Sequence, residues 1–235
     1  MNPVSVIVRC KNEEKTISSC LKSIRSQSIK PWEIILADNL STDSTRKIAR
    51  LYGCKIINIP NPFNHAGSCN LAIKSSKGEI IVITNGHSIP IGRHWLETAL
   101  TCFKDPKTAG VFGCQHSGNS ASVWEKIEKK ISGFNARTIR KYHRVSFRSG
   151  GLLSTACAAI RKDLWKKYPF NEDISQKLGG GEDTDWAFHF IKDGYTIVQH
   201  PNFSVYHSHN DSLVKLTHRL SKYAISYLPI YLKYI

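Results

Sequence analysis

The stretch VSVIVRCKNEEKTISSCLKSIRSQSIKPWEIILAD, residues 4–38, decides the fold of this chain. It opens with a run of β-branched residues that predicts a buried strand. Ile17, Leu21 and Ile24 then recur at helical spacing, and the apolar segment at 33–38 predicts a second strand. A strand, a helix and a strand in this order predict a βαβ unit with two parallel strands.

The same alternation continues downstream. A helix predicted to stop at Gly53 precedes the strand KIINIP, and a helix predicted to stop at Gly78 precedes the strand EIIVIT. This repetition predicts an α/β fold with a mostly parallel central sheet and helices on both faces. Ligands of such sheets bind beyond the carboxyl ends of the strands, so we expect the informative residues there.

The composition limits the classes of protein that fit. With 235 residues, 41% of them apolar, the chain can bury the core of one domain. Its 33 Lys and Arg residues against 18 Asp and Glu predict attraction to polyanions. Nucleic acid, anionic lipid and phosphorylated substrates all fit that charge, which does not choose among them.

Cysteine usage and hydropathy indicate the compartment. Seven cysteines without a C-x-x-C pair favour a reducing cytosol over a disulfide framework or a zinc ribbon. The sequence has no signal-peptide pattern and no apolar stretch near the ~20 residues of a transmembrane helix. We therefore expect any contact with a membrane to be made from one side.

Polar residues end the second predicted strand. Asp38 and Asn39 stand there, and a carboxylate at the end of a buried strand favours an acceptor for the N–H or O–H groups of a nucleoside. Helix capping is the alternative, for which Ser41 and Asp43 are better placed.

Two further strand ends carry candidate ligand-binding groups. His65 and Asn70, in the turn-rich segment NPFNHAGSCNLAI, are able to meet an anion or a sugar at a helix N-terminus, or equally to satisfy local backbone groups. Asn85 and Gly86 end the fourth strand, where a glycine lets the backbone approach a ligand closely.

Histidines gather near two strand ends. His87 follows the fourth strand, and His207 and His209 end the later β-like run TIVQHPNFSVYH and its continuation. A lone histidine is usually structural, but two spaced imidazoles with a carboxylate favour a divalent metal site. None of these spacings is diagnostic in the way that H-E-x-x-H would be.

The segment GGGEDTDW concentrates negative charge in a basic chain. Gly179 to Gly181 predict a hinge-like loop, and Glu182, Asp183 and Asp185 open an amphipathic helix whose N-terminus keeps carboxylates ionised. An ionised carboxylate there can take a proton from a hydroxyl nucleophile. The alternative, charges that complement the helix dipole, explains one acidic residue more easily than three.

The second half of the chain contains two basic segments. Residues 113–148 predict an irregular insertion or cover. The last segment predicts an amphipathic helix that suits a membrane surface, a dimer or a chain cut short. Its apolar positions are Leu213, Leu216, Leu220, Tyr223 and Tyr227, and its basic positions are Lys215, Arg219, Lys222 and Lys233.

Taken together, these segments resemble glycosyltransferase family 2. The resemblance rests on VSVIVRCKNEEKTISSCLKSIRSQ, EIILADNLSTDST, NHAGSCNLAIKSSKGEIIVIT, GHSIP with HWL, and GGGEDTDWAFHFIKDGY, and it extends to about Asn210. It implies a GT-A fold over residues 1–210, with a nucleotide-sugar-binding half at 1–112 and an acceptor half at 113–210. Residues 211–235 would be an appended basic amphipathic segment.

The resemblance also implies roles for individual residues. Asp38 would contact the base, Glu13 would lie at the nucleoside pocket, and Asp183 would be the general base, with Glu182 completing the Glu-Asp pair of the family. His87 stands at or beside the family's usual metal-binding aspartate, and with His207 would hold Mn²⁺ or Mg²⁺. The expected nucleotide-binding set is Arg9, Asn12, Glu13, Asp38, Asn39, His65, Asn70, Asn85 and Gly86, and the expected acceptor-binding set is Gly180, Gly181 and Trp186.

The family resemblance implies an inverting transferase. It would move a sugar from a UDP, dTDP or GDP donor to a hydroxyl of a glycan or lipid-linked acceptor in surface polysaccharide synthesis. We expect a cytoplasmic protein, peripheral on the inner face of an anionic membrane, with no nucleic-acid partner. The alternatives are a catalytically silent relative, a nucleic-acid-binding protein suggested only by charge, and a nucleotidyltransferase, for which RCKNEEKT lacks a glycine-rich phosphate loop.

Overall fold

The computed structural model describes residues 3–118, 121–131, 135–146, 151–209 and 211–235. The strands are β1 (Val4–Cys10), β2 (Glu33–Asp38), β3 (Lys55–Asn58), β4 (Ile80–Asn85), β5 (Ser88–Pro90), β6 (Thr108–His116), β7 (Arg140–Tyr142), β8 (Cys157–Arg161) and β9 (Thr196–His207). The helices are α1 (Ile17–Arg25), α2 (Thr45–Leu51), α3 (His65–Lys74), α4 (Trp95–Cys102), α5 (Val123–Ile131), α6 (Lys162–Lys167), α7 (Glu172–Leu178), α8 (Glu182–Lys192) and α9 (Leu213–Leu232).

These strands form one mixed sheet in the order β3-β2-β1-β4-β8-β6-β9-β5, with β7 paired to β9. Within the described ranges, β1, β2, β3, β4, β6 and β9 run in one direction, and β5, β7 and β8 run in the other. The predicted α/β fold with a mostly parallel sheet is confirmed. The predicted boundary at residue 112 falls inside β6, so both halves share this sheet.

Helices cover the sheet on both faces because alternate residues of each inner strand point to opposite sides. Val6 and Val8 of β1 pack in a core with apolar residues of α1, α2 and α4. Ile7, between them, packs in the opposite core with residues of α3, α6 and α8. Both faces of β1 are therefore buried, which explains its nearly continuous apolar sequence.

The segment 113–148, predicted to be irregular, is partly regular in the structure. β6 extends to His116, α5 follows, and β7 adds to the edge of β9. The prediction of an irregular segment was wrong here, because the many basic residues hide the amphipathic pattern of α5 in the sequence. Residues 119–120, 132–134 and 147–148 of this segment, and also residues 149–150 and Asn210, lie outside the described part of the chain.

The last helix, α9, matches the predicted amphipathic segment. It packs Leu216 and Ile230 inward, whereas Val214, Ile225 and Leu232 are exposed. Among the described residues, no helix combines the length and the apolar character that are needed to cross a membrane. All seven cysteines are free thiols.

Candidate functional site

Parallel pairing brings polar side chains to one edge of the sheet. The register sets Arg9 opposite Asn85 and Cys10 opposite Asp38, so the carboxyl ends of β1, β2 and β4 coincide. The Arg9 guanidinium donates to Asn85 Oδ1 and to Thr155 Oγ1, both at 2.9 Å. Arg9 therefore connects β1 and β4 to the loop that precedes β8.

The carboxylate of Asp183 lies next to this arginine network. Its Oδ1 accepts from the backbone N–H of Thr184 at 2.7 Å, and its Oδ2 accepts from that of Thr155 at 3.3 Å. Burial raises the pKa of Asp183, whereas these two N–H groups and the charge of Arg9 oppose the rise. Each oxygen keeps a lone pair for a further proton or hydrogen bond.

Glu182, the neighbour of Asp183, is buried much more completely. Glu182 is 3% exposed, and its Oε2 has no hydrogen-bond partner among the described residues. Burial raises its pKa to about 7, the charge of Asp183 adds to the rise, and Arg9 opposes it. Burial raises the pKa of both carboxyls, so the pair holds a proton to higher pH than an exposed carboxyl does.

Asp185 faces away from these two carboxylates. It is fully buried, and it accepts hydrogen bonds from Tyr168 Oη at 2.8 Å, Lys233 Nζ at 2.7 Å and Tyr234 Oη at 2.9 Å. Positions two apart on a helix point to nearly opposite sides, which separates Asp185 from Asp183. Asp185 therefore fastens the end of the chain to α8.

The glycine triplet shapes the turn between α7 and α8. Gly179 ends α7 with φ 72°, and Gly181 precedes α8 with φ 91°, both in the left-handed region. A Cβ built on Gly181 would lie 2.5 Å from Cδ1 of Ile230 in α9. Glycine is thus required at position 181 by the backbone and by the packing of α9.

A cavity of about 380 Å³ opens between this turn and α9. Gly180, a predicted acceptor-binding residue, lies on its wall, whereas Gly181 packs against α9 instead. Lys215 and Arg219 of α9 and the imidazole of His209 complete the wall that faces the loop. Asp211, which pairs with Arg219 at 2.9 Å, also lies on the wall, so the lining combines backbone, charges of both signs and an imidazole, which suits a hydroxyl-rich ligand.

Three imidazoles meet where β5 pairs with β9. The register sets Ser88 opposite His207, which brings His87 to the end of β9. One nitrogen from each of His87, His207 and His209 lies within 4.8 Å of the other two. Burial lowers the pKa of His207 well below its usual range, and the neighbouring histidines add to that effect. Burial also lowers the pKa of His209, to about 4, so His207 and His209 are neutral at ordinary pH, the form that binds metal.

Polar partners orient the rings of this cluster. Glu13 Oε1 lies 2.6 Å from His87 Nδ1, and because a carboxylate only accepts, His87 donates from Nδ1. Its Nε2 is buried and has no partner among the described residues. His207 Nδ1 hydrogen bonds to Ser88 Oγ at 2.7 Å, which directs its Nε2 toward His209 Nε2 at 3.1 Å. This donor set of three imidazoles fits a divalent transition metal.

The predicted base-binding residues lie at the end of β2. Asp38 is fully buried, its Oδ2 accepts from the backbone N–H of Ser41 at 3.1 Å, and its Oδ1 has no partner among the described residues. Asn39 Oδ1 is also buried and unpartnered in the same part of the chain. Asn12, with φ 54°, accepts from the backbone N–H of Thr42 and so joins the β1 loop to the β2 loop.

The other predicted nucleotide-binding residues have mixed positions. His65 Nδ1 lies 3.5 Å from Arg9, at the same edge as Asn85. Close packing explains the glycine at position 86, because a Cβ there would lie 2.6 Å from Cys10 Sγ and 3.0 Å from Glu13 Cβ. Gly86 thus makes room for the side chain that orients His87.

The structure contradicts the predicted roles of two residues. The Asn70 amide donates to the backbone oxygen of Phe170 and to Glu172, and its oxygen accepts from Trp165 and from Phe170. With all its donors and acceptors used, Asn70 holds α3 to the segment between α6 and α7 and has none left for a nucleotide. Trp186, predicted to contact the acceptor, is fully buried in the core.

Some residues of the site were missed by sequence reasoning. Ser88 had a signal, since it follows His87 directly at a strand end. His209 was named beside His207 from the sequence but was not included among the predicted metal ligands. Thr155 had no signal, since it reaches Asp183 only through the pairing of β8 with β4.

Comparison with known proteins identifies the family. The model of glycosyl transferase family 2 matches residues 5–168. The O-antigen chain rhamnosyltransferase WbaN of Salmonella anatum is 29% identical over 201 residues, which are 80% of this chain and 60% of that protein. This chain therefore spans about three fifths of the length of that relative.

Solved structures have the same fold at low sequence identity. The mannosyltransferase PcManGT from Pyrobaculum calidifontis, in complex with GDP-Man and Mn²⁺, matches with TM-score 0.73 and 19% identity over 99% of this chain and 64% of its own. Glucosyl-3-phosphoglycerate synthase from Mycobacterium tuberculosis, in complex with Mn²⁺, uridine-diphosphate and phosphoglyceric acid, matches with TM-score 0.70 and 17% identity over 98% and 78%. The sheet is that of the GT-A fold, and the chain belongs to glycosyl transferase family 2.

Proposed function

We propose that this chain is the catalytic domain of an inverting glycosyltransferase that moves a sugar from a nucleotide-diphospho-sugar to a hydroxyl group. The observation that carries the proposal is the Asp183 carboxylate, held by two backbone N–H groups beside a buried glutamic acid. Arg9 connects this carboxylate to the strand ends that bear Asn85 and, nearby, Asp38. Membership of the family supports the same reaction.

In this mechanism, Asp183 is the general base. The acceptor oxygen gives its proton to Asp183 and forms a bond to the anomeric carbon, while the bond from that carbon to the diphosphate breaks. Attack from the side opposite the leaving group inverts the configuration. Asp183 is the member of the pair placed to accept the proton, since two backbone N–H groups bind its carboxylate oxygens.

Buried oxygens at the end of β2 are the proposed binding site for the base of the donor. Asp38 Oδ1 and Asn39 Oδ1 lack partners among the described residues, so an N–H of a pyrimidine or purine would satisfy them. Asn12 and Glu13 complete this loop, and His65 and Asn85 border it beside Arg9. UDP, dTDP and GDP donors all offer such an N–H.

His87 and His207 are the proposed ligands for a divalent metal. When bound, such an ion supplies Lewis-acid stabilisation to the departing diphosphate. The solved relatives that carry Mn²⁺ support a divalent ion in this fold. The protein's own part is to hold the two rings, through Glu13 and Ser88, in one orientation.

The proposed acceptor is a surface polysaccharide or its lipid-linked precursor, at the inner face of the cell membrane. The S. anatum relative, an O-antigen chain rhamnosyltransferase, supports this class. The apolar side chains of Val214, Ile225, Leu228 and Leu232 are exposed at helical spacing on α9, and Trp124 of α5 is exposed as well. On a chain of net charge +15, such a face suits an anionic bilayer.

The role of Asp183 is tested by Asp183→Asn, with the exposed Asp173→Asn as the matched control. We expect Asp183→Asn to lower sugar transfer at least about a hundredfold, because the amide cannot take the proton. Nucleotide binding, followed by the thermal shift with UDP, dTDP or GDP and a divalent metal, should be kept. Unchanged turnover in Asp183→Asn would exclude the role, and binding of nucleotide without turnover in the wild type would indicate a silent relative.

The membrane surface is tested by the double variant Ile225→Ser, Leu228→Ser. We expect it to sediment less with phosphatidylglycerol vesicles than the wild type, because two exposed apolar side chains are lost. The control is Leu51→Ser on α2, since Leu51 is 80% exposed and lies outside α5 and α9. Equal sedimentation of the double variant and the control would reject this surface.

A further inference from the structure

We propose that His209 is a third ligand beside His87 and His207, and that this all-imidazole site selects Mn²⁺, Co²⁺ or Zn²⁺ and rejects Mg²⁺. The role of the ion in transfer rests on the proposed function, but the selectivity depends only on the donor atoms of this chain. Those atoms are three ring nitrogens that lie within 4.8 Å of one another.

The spacing of the three nitrogens is close to what a metal needs. At metal–nitrogen distances of about 2.0–2.1 Å, ligand nitrogens of a tetrahedral or octahedral ion lie roughly 3–3.5 Å apart. His207 Nε2 and His209 Nε2 are already 3.1 Å apart. The rings of His87 and His209 have centroids 5.1 Å apart, so small side-chain rotations bring the third nitrogen into place.

Each ligand is held from behind by another group. Glu13 binds the far nitrogen of His87, Ser88 binds the far nitrogen of His207, and Glu125 Oε1 accepts from the backbone N–H of His209 at 2.8 Å. Such outer contacts fix the tautomer and the ring orientation of metal-binding histidines. They leave the Nε2 atoms of His87 and His207 directed at the common centre.

The contact between Glu13 and His87 depends on the glycine at position 86. A Cβ on Gly86 would lie 3.0 Å from both Cβ and Cγ of Glu13, so a larger residue there would displace the glutamate. The second carboxylate oxygen of Glu13 accepts from Thr16 Oγ1 at 2.9 Å. Both oxygens of Glu13 are therefore engaged, and Glu13 acts as a positioning residue for His87 while it stays outside the ligand set.

The donor atoms decide which ion binds. Mg²⁺ requires oxygen ligands in octahedral geometry and gives up its water reluctantly. Imidazole nitrogen favours the first-row transition metals, with affinity rising from Mn²⁺ through Co²⁺. Within the described residues, the cluster contains three imidazoles and no carboxylate. A site of this composition therefore discriminates against Mg²⁺ by chemistry and not by size.

The test measures metal binding by the whole chain without donor or acceptor. After EDTA treatment and dialysis, Co²⁺ is titrated while its visible absorption is recorded, and Mn²⁺, Zn²⁺ and Mg²⁺ are titrated by calorimetry. We expect one equivalent of Co²⁺ to bind without the near-ultraviolet band of a thiolate ligand, and no saturable heat with Mg²⁺. Saturable Mg²⁺ binding as tight as that of Mn²⁺, or a thiolate band, would overturn the proposal.

Variants connect the binding to the named residues. His209→Gln should weaken Co²⁺ binding at least tenfold, and Glu13→Gln should weaken it about tenfold through the orientation of His87. His94→Gln, at a histidine whose side chain is 66% exposed, is the matched control and should bind as the wild type does. Wild-type affinity in a folded His209→Gln protein would remove the third ligand. If the wild type binds Co²⁺ as expected but transfers no sugar, this result counts against the proposed function and leaves the metal site in place.

Discussion

Replacing Glu182 by glutamine should make the protein more stable than the wild type at alkaline pH, by a margin that grows as pH rises. Glu182 is 3% exposed, and its Oε2 lacks a partner among the described residues. Burial, aided by the Asp183 charge and opposed by Arg9, raises its pKa from 4.5 to about 7. In the unfolded chain this carboxyl ionises near its ordinary value.

The sign follows from the proton count. Between pH 4.5 and about 7, the folded state binds more protons at Glu182 than the unfolded state does, so the contribution of Glu182 to stability falls as pH rises through this window. One pKa unit corresponds to about 1.4 kcal/mol, so the loss above this window approaches about 3 kcal/mol. Glutamine has the same shape without a charge, and it avoids this loss at every pH.

Urea denaturation followed by tryptophan fluorescence at about pH 5 and about pH 8 measures both effects. Glu182→Gln should gain stability relative to the wild type between the two conditions and exceed it at the higher pH, because the buried histidines, whose pKa values are lowered, stabilise both proteins equally as pH rises. Glu79→Gln, at an exposed glutamate, should follow the wild type. If the stability difference between Glu182→Gln and the wild type does not grow from about pH 5 to about pH 8, Glu182 does not hold a proton in the folded protein.

Two further substitutions test the frame around the carboxylate pair. Asp185→Asn should cost about 2–4 kcal/mol of unfolding free energy, because it weakens three hydrogen bonds to a buried anion. Lys233→Met should cost less, since the Lys233 side chain is 43% exposed. Equal costs for the two variants would contradict this account. Gly181→Ala should cost more than Gly179→Ala, because both have positive φ but only position 181 adds a clash with Ile230. Ile230→Val removes the clashing methyl group and should recover that difference in urea denaturation; no recovery would place the cost in the backbone alone.

The sequence was sufficient for the strands that carry the nucleotide half. β1, β2 and β4 are β-branched runs buried on both faces, and a pattern of that kind predicts a strand without knowledge of its neighbours. Parallel pairing then places Arg9, Asp38 and Asn85 at one edge, as the register confirms. Local pattern and simple sheet geometry are enough for this part of the site.

Contacts between segments that are distant in the chain could not be predicted from the sequence in the same way. Asn70 looks like a ligand-binding amide at a helix N-terminus, but its partners Phe170 and Glu172 lie about a hundred residues later. Trp186 looks like a sugar-stacking ring, yet the core covers it completely. The antiparallel pair of β5 and β9 that joins His87 to His207 also depends on long-range topology, which periodicity does not encode.

The opposite orientations of Asp183 and Asp185 on α8 affect how inactivating substitutions in this stretch should be interpreted. A change at either aspartate is expected to abolish sugar transfer in a cell. Loss of Asp183 would leave the normal amount of folded but inactive protein. Loss of Asp185 would release the end of the chain and lower the amount of protein that survives proteolysis. Two alleles with the same phenotype, two residues apart, would thus be distinguished by an immunoblot.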